Sequence, residues 1–411
     1  MQGFDTVPAP LLPQNAPGRR GVGARVRRAS RWLFGACLAG LLAGNGVFAA
    51  DLADQLAVIR KVGPQGQGHP AAAAAWKEVV AADAAALPQI LAAFDGANPL
   101  AANWLRGAVE SIADRTLSAD GKLPASDLEN FVLEVKHDPR ARRLAFEWLT
   151  RVDAAAPERL IPGMLNDPSV EFRRDAVQRL LDQAAKLETD GTPDAARPVY
   201  LQALSAARDD DQVQACVKPL EKLGQKVDLP RHFGLVTNWY LIGPFDNTGK
   251  KGFDVAYPPE QQLNLDAKYP GKDGDVAWTK HVTTDAYGIV DLAKAQDAFK
   301  GAVTYAYHEF TSEEAQTVDL RLGTPNAWKV WVNGELVFGR DEYHRGMRLD
   351  QYEMRAALKP GKNQILVKLC QNEQKEDWAQ RWQFQLRVCD STGTAVLSKT
   401  RPEPTETAAI D

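Results

Sequence analysis

The chain has 411 residues, 45% hydrophobic and 25% charged, an ordinary globular composition long enough for two domains and a sizeable core. Its net charge of −4 hides an asymmetry: residues 1–49 hold six arginines (Arg19, Arg20, Arg25, Arg27, Arg28 and Arg31) and one acid, Asp5. The remainder keeps 43 basic and 52 acidic residues, a net of −9. An acidic balance of this kind argues against binding a phosphate backbone, so nucleic acid is not an expected partner.

The N-terminus has the pattern of an export signal. A basic, Pro- and Gly-rich stretch to Arg31 precedes an apolar run from Trp32 to Phe48, and Val47-Phe48-Ala49 supplies acceptable cleavage residues before the helical Asp51-Leu52-Ala53-Asp54. The alternative is a retained anchor, although a glycine-interrupted run of about 17 residues is at the lower edge of a spanning helix. No second run of spanning length follows, so the chain after cleavage is expected to be free of the membrane.

From Asp51 to about Val227 the period is helical. Apolar residues return at three- and four-residue spacing, as at Ala145, Trp148, Leu149 and Val152, and alanine-rich stretches predict helices over 51–62, 70–82, 87–94, 101–116 and 125–135 and onward to Leu223. A weak repeat underlies them. Asn98-Pro99, Asp138-Pro139, Asp167-Pro168 and Asp209-Asp210-Asp211 each open a helix, with Asn or Asp as cap and often proline in the first turn. These openings fall about 40, 29 and 42 residues apart, near the period of stacked helix pairs. The stretch from Asp167 to Leu180, Asp-Pro-x-Val-x-x-Arg-x-x-Ala-x-x-x-Leu, resembles the second helix of a HEAT repeat. An irregular bundle is the alternative. A solenoid would add a concave face for a protein partner.

Between Gly224 and Phe233 the helical period breaks, and the chain changes character. Six of the ten tryptophans lie beyond residue 230 (Trp239, Trp278, Trp328, Trp331, Trp378 and Trp382). Ten strands are predicted, over 235–242, 276–281, 303–310, 316–322, 329–332, 335–338, 352–357, 364–370, 382–389 and 395–398. The clearest is the hairpin around Asn333-Gly334, the pair that best tolerates positive φ at both corners of a type I′ turn. Strands at this spacing, with turn signals between them, predict an antiparallel β-sandwich.

Cysteine usage is sparse. Cys216, Cys370 and Cys389 follow the leader, and no Cys-x-x-Cys-His or zinc spacing occurs. Cys370 and Cys389 are read as lying on two strands of a hairpin across residues 371–381. That would hold them about 20 Å apart at 3.3 Å per residue, too far for a disulfide. Three buried free thiols are expected.

The series Val318-Asp319-Leu320-Arg321-Leu322-Gly323, Lys329-Val330-Trp331-Val332-Asn333-Gly334 and Leu358 to Lys368 resembles the galactose-binding-like jelly roll. That fold is found in the sugar-binding domain of β-galactosidase-type glycoside hydrolases and in carbohydrate-binding modules. The opening Trp239-Tyr240-Leu241-Ile242-Gly243-Pro244-Phe245 is similar to the start of such domains in exported bacterial proteins, notably from planctomycetes. The resemblance spans residues 235–398 and implies a sandwich. The matching residues build that framework and do not touch ligand, so it says little about function.

No nucleophile elbow, phosphate loop, His-Glu-x-x-His, kinase or dinucleotide signature is present. Glu309, Glu313 and Glu314 are the carboxylates that could flank a glycosidic bond, though solvated strand-end charge explains them as well. The most distinctive polar stretch runs from Arg340 to Gln351 and joins the Asn-Gly hairpin to the next strand. Its Asp341, Tyr343, His344, Arg345 and Asp350, together with Trp378 in the polar loop 373–380, form the candidate ligand-binding set. An aromatic face for stacking on C–H groups and charged donors and acceptors for hydroxyls are what sugar recognition needs. A solvated loop with internal ion pairs is the alternative. Asp246 and Asn247 are oxygen donors in a suitable turn for a structural calcium ion, but no Asp-x-Asp-x-Asp loop supports one; no cofactor is expected, with a structural calcium ion as the alternative.

The reading is therefore an exported, non-enzymatic protein in which a signal peptide (1–49) precedes an α-helical HEAT-like domain (50–228), a galactose-binding-like β-sandwich or jelly roll (229–400) and a disordered tail (401–411). The sandwich is expected to bind carbohydrate, with the helical part as scaffold or spacer. A protein-interaction scaffold with a purely structural sandwich, or an accessory or remnant glycoside hydrolase, are the rivals.

Overall fold

The computed structural model describes residues 44–401, with side chains from residue 51. The expected leader lies outside the described residues up to 43, and the expected tail beyond 401. The chain divides into two compact units, Met1–Asp54 and Gln55–Asp411. The helical layer and the sandwich both belong to the second. Among the described residues no helix is long and apolar enough to cross a membrane.

The helices that precede the sandwich are α1 (Gly44–Ile59), α2 (His69–Ala81), α3 (Leu87–Ala92), α4 (Pro99–Ser118), α5 (Ala125–Leu133), α6 (Pro139–Val152), α7 (Ala156–Leu160), α8 (Val170–Thr189), α9 (Pro193–Ala206), α10 (Asp210–Lys222) and α11 (Leu229–Phe233). Two of the four expected caps form as expected. Asn98 Oδ1 accepts from Leu100 N and Ala101 N at 2.9 and 3.0 Å, and Asp138 Oδ1 accepts from Arg140 N at 2.9 Å. The other two do not. Helix α8 starts at Val170 behind Ser169, and the Asp167 carboxylate instead takes both arms of the buried Arg142 guanidinium at 2.8 and 2.7 Å. Asp209 precedes α10 without a side-chain cap, because its carboxylate pairs with Arg174 at 3.0 Å. Asp167 Oδ1 also accepts from Ser169 N at 2.8 Å, in the turn before α8, so at neither position does the carboxylate reach the free amides inside the helix.

The C-terminal half is an antiparallel sandwich. Its strands are β1 (Asn238–Asp246), β2 (Lys268–Pro270), β3 (Asp275–Ala277), β4 (Thr279–Val282), β5 (Val290–Asp291), β6 (Ala302–Ser312), β7 (Gln316–Gly323), β8 (Ala327–Val332), β9 (Glu335–Arg340), β10 (Tyr352–Leu358), β11 (Gly361–Gln371) and β12 (Gln383–Cys389). A six-stranded sheet runs β4-β1-β6-β11-β8-β9 and a four-stranded sheet runs β10-β7-β12-β5, with β2 and β3 paired apart. Asn333 and Gly334 have φ of 53° and 85°, and Val332 pairs with Glu335, so the hairpin closes as its sequence predicts.

Three strand expectations need correction. Residues 276–281 split into β3 and β4, and 395–398 contributes only a bridge from Ala395 to Cys389. Cys370 and Cys389 are not on one hairpin: β11 lies in the six-stranded sheet and β12 in the four-stranded one. The polar loop after β11 therefore crosses from one sheet to the other. The thiols of Cys216, Cys370 and Cys389 are free and buried, and burial pushes them up to about 12, about 12 and about 11.

Between the sheets lies a core built on Trp239, Trp328, Trp382, Phe384, Leu320 and Val367. The outer face of the six-stranded sheet carries a second cluster, in which Tyr305, Tyr307, Trp331 and Leu366 lie under Phe253, Tyr257, Leu263 and Leu265. The fully buried Lys368 pins that covering segment, donating to Phe253 O, Val255 O and Glu260 at 3.1, 2.7 and 2.7 Å.

Helices and sandwich share a third cluster. Val177, Tyr200, Leu204, Val213, Val217 and Leu220 pack with Phe233, Leu235, Tyr287 and Leu349. Polar bonds flank it: Arg173 donates to Thr392 O at 3.0 Å, Arg208 to Thr394 Oγ1 at 3.0 Å, and Gln214 to the Tyr287 hydroxyl at 2.7 Å. Apolar burial and directional bonds together fix the angle between the two layers.

Two consequences are measurable. Asp167→Ala strands the Arg142 guanidinium, 1% exposed, and should cost ~3–5 kcal/mol, read as a lower urea midpoint with an unchanged slope. His308 is buried and His232 partly buried, and both are held down to about 4 from 6.5, chiefly by desolvation. The unfolded chain takes up those protons near pH 6.5 and the folded chain does not until about pH 4, so stability should be full above that window and fall across it. Melting temperatures measured across the window should show the fall, and replacing both histidines with glutamine should flatten it.

Candidate functional site

The candidate residues separate in the structure. Tyr343, His344 and Trp378 come together, whereas Asp350 is drawn into a different environment. Arg387, 1% exposed on β12, grips Asp350 through Nε at 2.6 Å and through a second, shorter bond from Nη2. Arg321 on β7 adds a contact at 3.0 Å. Burial alone would raise the Asp350 carboxyl, but the bonds and charge of Arg387 and Arg321 outweigh it and hold it below its ordinary value. The same guanidinium donates to Phe233 O of α11 and to Gly393 O, so Asp350 anchors the seam with the helical layer. Arg345 is exposed and pairs with Glu342 at 3.2 Å, and Asp341 is exposed.

At the loop end of the sandwich, Trp378 sits on a single 3-10 turn, Asp377–Ala379, with 60% of its surface exposed. The His344 ring meets it edge-on, at 4.9 Å between centroids and 88° between planes. His344 Nε2 donates to Asn372 Oδ1 at 3.1 Å, which fixes the tautomer, and its backbone N–H donates to Pro325 O at 2.6 Å. Tyr343 is next, 6.2 Å from His344 between ring centroids. Its hydroxyl accepts from Asn247 Nδ2 at 3.1 Å, and the Lys250 ammonium sits 5.1 Å from its ring centroid. Burial, foremost, pushes the Tyr343 hydroxyl well above its ordinary value. The arrangement is a row of three rings with a cation at one end.

Buried amides hold this row. Gln371 Nε2 donates to Ala379 O at 3.2 Å, and Asn326 Nδ2 donates to Gln371 Oε1 and Arg381 O, each at 3.2 Å. Asn372 Nδ2 donates to Gln374 Oε1 at 2.7 Å. Asn326, Gln371 and Asn372 are almost wholly buried, so the loop from 372 to 381 is bonded from beneath while Trp378 stands clear above it. Two residues of the row, Lys250 and His344, have φ of 63° and 59°, left-handed conformations that cost a non-glycine residue ~1–3 kcal/mol and concentrate at binding sites. Asn247 Oδ1 is buried beside them without a bonding partner among the described residues.

The other tryptophans of this half are core or covered. Trp239, Trp328 and Trp382 are buried to 2% exposure or less and Trp331 to 9%, while Trp278 is half-buried with its indole N–H unpaired. A cavity of about 110 Å³ lies on the outer face of the six-stranded sheet, floored by Tyr307, Trp331 and Leu366 and closed by residues 259–263. Glu309 pairs with Lys362 at 3.0 Å and Glu313 with Lys399 at 2.5 Å, as the solvated-charge alternative anticipates. Among the described residues no group of three His, Cys, Asp or Glu is placed to hold a metal ion.

Sequence reading missed Lys250, Asn326, Gln371 and Asn372, and weighed Asn247 only as a calcium donor. Each is an ordinary polar residue in the chain, and only the fold brings them under one surface.

No family model and no curated protein matches this chain. Among solved structures, 23 chains match. One is a family 35 carbohydrate-binding module from Clostridium thermocellum, 14% identical over 21% of this chain and 78% of that one, with a TM-score of 0.15. Another is an anti-sigma factor domain-containing protein, 14% identical over 42% of this chain and 51% of that one, with a TM-score of 0.20. A β-glucosidase from Kluyveromyces marxianus is 10% identical over 69% of this chain and 35% of that one, with a TM-score of 0.26. The chain thus spans about half or less of the length of the latter two. Similarity at this level leaves function to be read from the site.

The bracing makes a prediction. Asn372→Ala removes the acceptor of His344 and should cost ~1–3 kcal/mol. Hydrogen exchange should accelerate in residues 372–381 and 341–346 and stay unchanged in the helical layer.

Proposed function

We propose that this is an exported, non-catalytic binding protein that holds a carbohydrate at the Trp378 end of its sandwich. The helical layer, HEAT-like in the spacing of its helix openings, serves as a rigid support with a surface left for a protein partner. One observation carries the reading: an indole 60% exposed stands on a turn whose own backbone is bonded from below by buried amides. A large apolar ring held rigid in water gains most by stacking on a ligand, because its conformational freedom is already spent. The C–H face of a pyranose is such a ligand. Asp341, the Lys250 ammonium and the backbone of the two loops supply polar groups around the row for its hydroxyls.

A purely structural sandwich would turn its aromatic side chains inward. Trp239, Trp328, Trp331 and Trp382 do so, but Trp378 does not. Trp378 is the one tryptophan of the sandwich with more than half of its surface exposed, and that favours the binding reading over the scaffold.

The test uses the full chain from Asp51, because the sandwich shares a core with α8–α10. A glycan array followed by calorimetry on the best-bound class should give measurable affinity. Trp378→Ala should weaken it roughly thirtyfold, the ~2 kcal/mol expected of an aromatic anchor. Asp350→Asn should leave affinity within a few-fold while lowering the melting temperature. Glycan binding that survives Trp378→Ala unchanged would remove the site.

A further inference from the structure

Strand β9 is a free edge of the six-stranded sheet, and it differs from the comparable edge across the sandwich. β10, the edge of the four-stranded sheet, turns the charged Glu353 and Arg355 to solvent. β9 turns out Leu336 and Phe338, 55% and 46% exposed. Its six residues, Glu-Leu-Val-Phe-Gly-Arg, include no proline and no lysine, the residues with which sheet edges commonly refuse a partner. Its one irregularity is a bulge that leaves Val337, at the centre of the strand, between the register pairs Val330–Phe338 and Trp331–Leu336.

The strand's sequence is complementary to itself in reverse. We propose that β9 pairs with β9 of a second copy of this chain across a twofold axis, joining the two six-stranded sheets edge to edge. Antiparallel pairing about the centre of the strand sets Glu335 against Arg340 of the second copy, Leu336 against Gly339, and Val337 against Phe338. A twofold interface repeats each opposition, so two ion pairs flank an apolar centre. Sliding the register by one residue sets Arg340 against Leu336, or Glu335 against Gly339, and loses both ion pairs. Charge therefore selects one register.

The end groups are available for this role. Among the described residues Glu335 has no ion pair within its own chain. Arg340 has only a long one, 3.9 Å to Glu342, and its guanidinium otherwise rests 5.3 Å from the Phe338 ring centroid. Gly339 is required by the hairpin itself, since a Cβ there would come 2.7 Å from Lys329 Cγ. Its bare backbone leaves room for Leu336 of the second copy.

Sedimentation velocity on the full chain from Asp51, across a micromolar to millimolar dilution series, tests the interface. Wild type should show a monomer–dimer equilibrium. Glu335→Arg sets like charges opposite one another twice and should raise the dissociation constant about tenfold or more. Combining it with Arg340→Glu restores opposite charges in reversed order and should bring the constant back to near wild type. Phe338→Lys should abolish the dimer. All these side chains are solvent-exposed or at the strand ends, and unchanged melting temperatures will confirm that the variants fold. A wild type that stays monomeric across the series overturns the proposal. So does a dimer indifferent to Phe338→Lys, or a double reversal no better than the single one.

Discussion

One buried guanidinium ties the parts of this molecule together. Arg387 projects from β12, and it bonds to Asp350 at the end of the loop after β9, to Phe233 O in α11 and to Gly393 O in the turn beyond β12. The four-stranded sheet, the helical layer and the loop that carries Tyr343 and His344 therefore meet at one charge. A cation this deep is tolerable only when its donors are answered, and Asp350 with two backbone carbonyls answers them. The pair is better understood as a specificity device than as a source of net stability. It admits one arrangement of the three parts, and the apolar cluster around Phe233 and Leu349 fills that arrangement.

From that anchor the loop runs back to the opposite role. Its near end is locked by charge and its far part by amides, through His344 on Asn372 and Tyr343 on Asn247. Beneath Trp378, Asn326 and Gln371 bond to the carbonyls of the crossing loop. Such networks grow more rigid the more fully they are paired, and of these amides Asn247 Oδ1 alone lacks a partner among the described residues. Rigidity is also what a binding surface needs, because a ring already fixed loses little freedom when a ligand arrives. Left-handed backbone at Lys250 and His344 is the strain that accompanies it.

The fold was largely legible in the chain because its signals are local. Asn333-Gly334 names its own turn, and the alternation of Ile365, Val367 and Leu369 names a half-buried strand. Helix openings at Asn98 and Asp138 were legible for the same reason. Asp167 and Asp209 misled, since their partners Arg142 and Arg174 lie on other helices and no local rule reports a competing guanidinium. The short strands β2 and β5 escaped notice because two or three residues carry no period. Cys370 and Cys389 were placed on one hairpin because strand spacing does not say when a loop changes sheets.

The site was legible in part. The polar stretch after β9 and the lone Trp378 stood out by composition, and the fold brings Tyr343, His344 and Trp378 together. Asp350 had the same composition but a different partner, which only three-dimensional packing assigns. The supporting amides carry no sequence signal of their own. The most direct measurement of the central claim is differential hydrogen exchange of the full chain with and without a bound glycan. Protection confined to residues 246–251, 341–346 and 372–381 is the predicted result. Protection centred instead on residues 259–263 and the sheet face around Trp331, or on the helical layer, would contradict it.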